Sequence, residues 1–593
     1  MPMPKVSPWV ATAYLCVFGA IAMGAYVAFV GAIDSAVITV VLVVMTTTTY
    51  ALSFDSRNSK KLRDGNNRLP PPPGNVLEQI LYTLHYLYDQ AGFLERMREV
   101  FPEGIFSLKL SGKKHVFIHN PELSAALLSH PRDNVEAGGF RTELLQDAFG
   151  FTKRDAEKYH VGRDLLVKPM ATLTADVTLN KLLQVNLVEM NRTIADMVTF
   201  NSSPADQMDW EVMAGAEIVE DKDGTQYVEL DWMKMMTNYI GRTASTALFG
   251  SDFVYNFPEI WSDLETFDKG LKDLTAKKPW WIPQPMRRLA AQARARLLDY
   301  MRDYDDALGK HLAGEDVGVK WQDIEHTHEV NKARYNVYKT QTLGVDGMAC
   351  ANLSFFWGVH ANTSPLTAWM IYEISRDPVF LEQIREEIAP YVQIYEEENH
   401  FGDAVWLPPR FQTVDLDGLL KKCVLLKASY IETLRLYTSS WSTRELTQDL
   451  FVNMKAQTHR PYILSKTTIA HVTQGVHQMD PVYYEDPDEW QPERHISVLL
   501  HQDGKTIRDA GMGVLKPFGS GSYTCKGRSL AFREMMLYTA IIITVYDIRP
   551  PQDESWVQPL VAARASTKMP TKPLLAWIKR RQLPKGNSSK AAK

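Results

Sequence analysis

The stretch Lys516-Pro-Phe-Gly-Ser-Gly-Ser-Tyr-Thr-Cys-Lys-Gly-Arg528 constrains this chain more than any other. It sets Cys525 in a loop with glycines at 519, 521 and 527, followed by a helix-like run, SLAFREMMLYTAIIITVY. A thiolate that ligates a metal must be reachable by it, and its charge needs N–H donors rather than bulky side chains nearby. Glycine backbones permit both, because they allow close approach and positive φ, so that successive amides can point at one sulfur. A helix starting just after the cysteine adds the positive end of its dipole. A glycine-rich turn around a structural cysteine is the alternative, and other parts of the chain decide between the two.

The remaining cysteines, Cys16, Cys350 and Cys423, are far apart, with no CxxC pair, so neither a zinc site nor a disulfide scaffold is implied. With 593 residues, 45% of them hydrophobic, the chain has material for a large core. A net charge of -5 excludes the basic surface that nucleic acid requires.

No charged residue occurs from Val6 to Ile33, and a second uncharged run extends from Ser35 to Phe54. Each is long enough to cross a hydrocarbon core of about 30 Å as a helix, and too long for the apolar core of a signal peptide. The runs form one tilted anchor or two helices turning near Gly31–Asp34. Arg57, Lys60, Lys61, Arg63 and Arg68 follow, which places the rest of the chain on the cytosolic side. Leu69-Pro-Pro-Pro-Pro-Gly74 cannot be helical and reads as a stiff spacer. The expected organisation is a membrane anchor over 1–55, a basic and Pro-rich linker over 56–74, one globular domain over 75–578 and a frayed basic, polar tail over 579–593.

Within the globular part, apolar residues recur at three- and four-residue spacing, as in PELSAALLSH, LDWMKMMTNYIGRTASTALFG and RRLAAQARARLLDYMRDYDDALGKHL. Strands are expected at IFSLKL, at KHVFIHN, in EIVEDKDGTQYVEL around an Asp223-Gly224 turn, and at ISVLL. The fold class is mainly α with a small β subdomain.

The spacing Phe518-x-x-Gly521-x-x-x-Cys525-x-Gly527 resembles the haem-binding loop of the cytochrome P450 family. The resemblance implies a triangular helical prism around a buried haem b. It makes the Cys525 thiolate the axial iron ligand, with Phe518, Gly519, Gly521 and Gly527 forming its loop. Many members carry a basic residue two positions before the cysteine, where it meets a haem propionate; Tyr523 stands there instead, which shifts that contact to other residues. The family's E-x-x-R helix pair is matched by Glu432 and Arg435 in YIETLRLY, and its third arginine by Arg494 in QPERHI. The same E-x-x-R spacing occurs at Glu95/Arg98 and Glu382/Arg385, so order along the chain selects the 432/435 pair. Arg444, twelve residues after Glu432, is implied as a propionate partner. Tyr159 and Arg163 in EKYHVGRDL resemble the earlier helix that faces the other propionate.

On the opposite side of the cofactor the family places a long helix, matched by Cys350-ANLSFFWGVHANTSPLTAWMIYEISRDP378. Pro365 cannot bond the Ala361 carbonyl, so a kink is expected there, with a widened turn beside Thr363. Thr363, helped by Asn362, is implied to hold oxygen and a relay water. His360, Ala361 and Trp357 are expected near substrate, and His360 is either a polar anchor or a core residue with its own partner. The segment resembles the sterol 7α-hydroxylase, sterol 12α-hydroxylase and prostacyclin synthase branch, in the style of a fungal microsomal member. The implied activity is O2- and NADPH-dependent oxidation of a lipophilic molecule, sterol-, terpenoid- or polyketide-like, in secondary metabolism. Electrons would come from NADPH–cytochrome P450 reductase at the endoplasmic reticulum membrane, docking near Lys516, Lys526, Arg528 and Arg533. The alternatives are a haem-thiolate isomerase or dehydratase acting on a peroxide, and a non-catalytic haem- or lipid-binding protein.

Overall fold

The computed structural model describes residues 81–86, 89–110, 113–136, 138–276, 283–397, 407–439, 441–454, 461–500, 506–553 and 555–586. The anchor expected over 1–55 and the linker over 56–74 lie outside these residues. Among the described residues no helix is long and apolar enough to cross a membrane.

Internal contacts divide the chain into two compact units. The smaller holds the described residues up to Leu123 together with Gln448–His471. Its two expected strands are present, β1 (Ile105–Leu110) and β2 (Lys113–Ile118), paired antiparallel from Ile105↔Ile118 to Leu110↔Lys113. Phe106 and Phe117, opposite each other in that register, stack at 5.0 Å and anchor the small core.

The larger unit, Ser124–Thr447 with Val472–Lys593, carries the helices that matter below. They are α1 (Lys153–Val161), α2 (Arg163–Thr172), α3 (Asp176–Thr193), α4 (Trp232–Phe249), α5 (Ile260–Thr275), α6 (Met286–Ala313), α7 (Val345–Arg376), α8 (Val424–Tyr437) and α9 (Arg528–Val545). Helix α4 starts where the Asp231 carboxylate accepts the Lys234 amide at 3.3 Å, and it stops at Gly250 with φ +87°. Helix α7 is the spine. It is buried around most of its circumference from Leu366 to Ser375, and Trp369 stacks on Tyr437 of α8 at 4.0 Å and 8°. Helix α9 is buried almost continuously from Glu534 to Val545, which accounts for its unbroken apolar run.

Helix α7 continues across Pro365. The proline at which a kink is expected does not end the helix: it removes one donor, to the Ala361 carbonyl, while packing around it keeps the remaining turns in place.

A four-stranded antiparallel sheet combines β3 (Glu217–Glu220), β4 (Gln226–Asp231), β5 (Tyr546–Arg549) and, from near the C-terminus, β8 (Leu575–Arg580), in the order β5-β8-β4-β3. The β3–β4 turn is the expected one: Asp221 accepts the amides of Asp223 and Thr225, and Gly224 has φ +77°. Between β5 and β8 lies a short hairpin, β6 (Val561–Ala563) and β7 (Lys568–Pro570). ISVLL also forms a strand, Ile496–Leu500, paired with Thr506–Ala510.

The tail expected to fray from 579 does not begin there. Lys579 and Arg580 pair with Asp547 and Tyr546 in β8, and Lys585–Gly586 run parallel to Glu396–Glu397. Strand β8 is interior, and its backbone groups hold the chain on both sides.

Candidate active site

In the loop before α9, the Cys525 amide donates to the Phe518 carbonyl at 3.0 Å, closing residues 518–525 on themselves. Burial pushes the Cys525 thiol up, and the amides of Gly527 and Arg528 with the Arg528 and Lys526 charges act against it. The residue is nevertheless exposed, so the sulfur stands at the edge of a dense wall with one side open. Gly521 has φ +68°, and a Cβ there would fall 2.0 Å from the Leu128 carbonyl oxygen, which leaves glycine as the residue that fits. Gly519 has φ +70°.

Tyr523, the departure from the family pattern, is sandwiched. The Arg444 guanidinium lies 4.1 Å from its ring centroid and that of Arg132 5.0 Å. Arg444, on the strand Ser442–Leu446, is buried, donates to the Thr443 carbonyl at 2.7 Å, and has a buried Nε without a partner among the described residues. Burial lowers its pKa, and Tyr523 opposes that.

Arg163 is committed elsewhere. It pairs with Glu136 at 2.8 Å, and the Tyr523 hydroxyl lies 3.4 Å from the same carboxylate. The Arg163 hydrogen bond is the leading cause of the lowered Glu136 pKa. Tyr159 and Arg163, expected on one helix, lie on two. Gly162 separates α1 from α2, Tyr159 packs on Phe151 and Tyr338 at 5.3 and 6.2 Å, and only Arg163 turns toward the Tyr523 cluster.

Behind the loop, Glu432 and Arg435 of α8 are fully buried and form a bidentate pair at 2.7 and 2.8 Å. Arg435 also donates to the carbonyls of Gln478, Pro487 and Glu489. Burial alone would raise the Glu432 pKa, but hydrogen bonds from Arg435, His495 and the Gln491 amide hold it at about 2. Arg494 joins the pair, with its Nε 3.4 Å from Glu432, and also donates to backbone carbonyls such as that of Glu485 at 2.6 Å; His495 adds a further contact to Glu432 at 2.7 Å.

On α7, successive residues turn by about 100°, so Gly358, Ala361, Asn362 and Pro365 share an arc of about 100°. A Cβ on Gly358 would meet no atom within 4 Å, which makes this the open face of an otherwise packed helix. Ala361, Pro365 and His360 line a cavity of about 460 Å³, whose other walls come from α4, α5 and the β6–β7 hairpin. Asn362 is held by Ser566 at the hairpin tip. The Ser439 amide bonds the Ser566 carbonyl at 2.9 Å, and Trp369 Nε1 donates to the Lys568 carbonyl at 2.9 Å.

Of the residues expected near substrate on this helix, His360 and Ala361 line the cavity and Trp357 does not. Thr363 is buried and lies about 140° around the helix from Gly358, and it does not line the cavity. His360, although lining it, is a core residue: Nε2 bonds Ser245 Oγ at 2.9 Å, its ring packs on Phe356 and Trp261, and burial lowers its pKa to about 3. Trp357 donates from Nε1 to Asp268 at 2.9 Å rather than standing in the cavity wall. Of the basic patch, Lys516 and Lys526 are exposed, Arg528 donates to the Cys525 carbonyl at 3.0 Å, and Arg533 pairs with Asp176 at 2.5 Å.

A thiol faced by two amides at a helix start, with a buried arginine beside its loop, has the chemistry of a haem-thiolate centre. The open side at Cys525 and the spare Nε of Arg444 fit that group; Arg163, held by Glu136, and Tyr159, packed on Phe151 and Tyr338, are expected partners already engaged. The chain belongs to the cytochrome P450 family, whose model matches residues 70–574. It is 23% identical over 516 residues to the cytochrome P450 monooxygenase efuG of Hormonema carpetanum, covering 82% of this chain and 85% of that protein. It is also 23% identical over 499 residues to the cytochrome P450 monooxygenase calL of Penicillium decumbens, covering 82% and 86%. Over 202 residues it is 29% identical to the 25-hydroxycholesterol 7-alpha-hydroxylase of Rattus norvegicus, covering 33% and 45%. The family implies a haem-thiolate cofactor and oxidoreductase, monooxygenase chemistry.

Sequence reasoning missed Glu136, His495, Asp268, Arg564 and Ser566. His495 had a signal, since it adjoins Arg494 in PERH; the others meet their partners across long sequence separations and carry no local spacing.

Proposed function

We propose that this chain is a membrane-bound haem-thiolate monooxygenase of the endoplasmic reticulum that oxidises a lipophilic small molecule of fungal secondary metabolism. The observation that carries the reading is the Cys525 loop, with its positive-φ glycines and two amides facing the sulfur. Cys525 would hold the haem iron through its thiolate, with Phe518, Gly519, Gly521 and Gly527 shaping its loop, and Arg444 would meet a propionate through its buried Nε. When bound, the haem supplies dioxygen activation with electrons from NADPH through a separate reductase. The protein's share is orientation and proton control. Asn362, fixed by Ser566, presents a neutral amide on the open face of α7, where it can hold a water but not ionise. His360 stays neutral at physiological pH and is bound to Ser245, so it is no proton carrier. Exposed Lys516 and Lys526 offer the reductase a cationic edge.

The test is Cys525→Ala in the full-length holoprotein. The Soret band of the reduced carbonyl complex should leave its thiolate position; a band that stays there would refute the axial assignment.

A second reading has one observation in its favour. From α7 only His360, Ala361 and Pro365 line the cavity, so that helix offers no hydroxyl there. A peroxide-rearranging isomerase or dehydratase would need none, and product formation at full rate without NADPH and reductase would establish it.

A further inference from the structure

Facing α7 across the cavity, Arg564 of the β6–β7 hairpin lies 3.6 Å from Asp268 and 3.7 Å from Glu265, both on α5. These are ion-pair separations longer than the roughly 2.7–3.2 Å of an N–H···O hydrogen bond, so the guanidinium has donors that its carboxylates do not saturate. Its side chain is 16% exposed, in a wall that also holds apolar Leu264 and Met569 and the lysines 234, 269, 272 and 572. Asp268 is buried, with its second anchor the Trp357 N–H. Lys272 donates to the carbonyl of Ala563, the residue before Arg564, at 2.7 Å. Arg564 thus stands between two anions, Glu265 and Asp268, while Asp231 and the four lysines supply the other charges of the lining. At Arg564 itself the charge is compensated, yet the guanidinium keeps N–H donors to offer. Elsewhere in the wall, Thr237 Oγ1, Asn238 Oδ1 and Trp261 Nε1 are buried without partners among the described residues, so the lining holds further hydrogen-bonding capacity.

We infer that Arg564, held between Asp268 and Glu265, binds a neutral oxygen function, a hydroxyl or carbonyl, at one end of an otherwise apolar substrate. The inference rests on the proposed function for what happens at the other end of that substrate. A carboxylate at Arg564 would meet Asp268 and Glu265 on the same guanidinium, and a hydrocarbon end would desolvate its remaining N–H donors without giving them an acceptor. The cavity's size suits a ligand of this kind, since pockets for compact small molecules span roughly 300–1,000 Å³.

The test uses three probes on one carbon skeleton, farnesol, farnesoic acid and farnesene, with the full-length holoprotein. Binding is read as a Soret shift and, independently of the iron, as ligand-induced thermal stabilisation. Farnesol should bind about tenfold more tightly than farnesene, a difference of about 1.4 kcal/mol, and more tightly than farnesoic acid. Arg564→Leu should bring farnesol and farnesene within about twofold, and Asp268→Asn should improve farnesoic acid about tenfold at unchanged farnesene affinity. If Arg564→Leu does not fold, the gain of the acid in Asp268→Asn carries the test. Equal thermal stabilisation by all three probes in the wild type, or a farnesol preference that survives Arg564→Leu, would overturn the inference. A missing Soret shift with the thermal ranking intact would fail the haem reading and leave this one standing.

Discussion

The larger unit contains two buried carboxylate–guanidinium sites built from the same chemistry, and they behave in opposite ways. At Glu432–Arg435 both side chains are inaccessible, the contacts are 2.7 and 2.8 Å, and a histidine and a backbone amide complete the carboxylate's shell. Its pKa falls to about 2. At Asp268–Arg564 the separation is 3.6 Å, a cavity adjoins, and burial wins over the charge of Arg564, so the Asp268 pKa is raised. A fully satisfied pair serves as structure, while a loosely satisfied one retains capacity for a ligand.

The difference can be broken by mutation, and the largest effect belongs to the tight pair. Glu432→Ala leaves Arg435 buried without its partner and should cost about 3–5 kcal/mol in denaturant unfolding, with loss of bound haem. A cost below that of an ordinary surface substitution would mean the network is not what ties α8 to the segment around Gln491.

Acid should separate the two sites by sign. The Glu432 contribution is complete above the ordinary value of 4.5 and is lost as pH falls toward about 2. Asp268 runs the other way: its ionised form costs stability in the fold, and that cost disappears as pH falls through its raised folded value toward the ordinary 3.8. Thermal melts from neutral to acid pH should show the gap between wild type and Glu432→Ala closing in acid. Asp268→Asn should be as stable as wild type or more so at neutral pH, within about 1 kcal/mol, with any advantage fading toward acid.

Smaller effects test the cavity wall. Ser245→Ala strands His360 Nε2 in the core and should cost about 1–2 kcal/mol, without altering the farnesol spectral titration; altered affinity would return His360 to the substrate site. Smallest of all, Thr363→Val should leave the ratio of product to NADPH consumed within about twofold of wild type, because its side chain is off the open face. A marked rise in uncoupled peroxide would restore the role that sequence spacing suggested for it.

Legibility in the sequence followed the range of the interactions. The Cys525 loop, the Glu432/Arg435 pair, the β1–β2 and β3–β4 strands and the long helices were readable because each depends on neighbours within a few residues. Helical phase was harder. The resemblance points to Thr363 in HANTSP, yet which arc of α7 lies open depends on what packs against the others, and Phe356 and His360 turn theirs into α5 and α4. Tyr159 and Arg163, expected on one helix, are parted at Gly162, where the helix breaks in two. Asp268 and Arg564 lie nearly 300 residues apart, and no local pattern joins them. The segments expected to meet the membrane lie outside the described residues.

The β6–β7 hairpin has a consequence for traffic. Its tip is fastened at Ser566 to Asn362 and Ser439, at Thr567 to Thr438 and at Lys568 to Trp369. Toward α5 it makes the long Arg564 ion pairs and the Lys272–Ala563 hydrogen bond. The hairpin is thus the doorpost and α5 the door, so the rate at which a bulky product leaves should follow the contacts of α5 more than those of the hairpin.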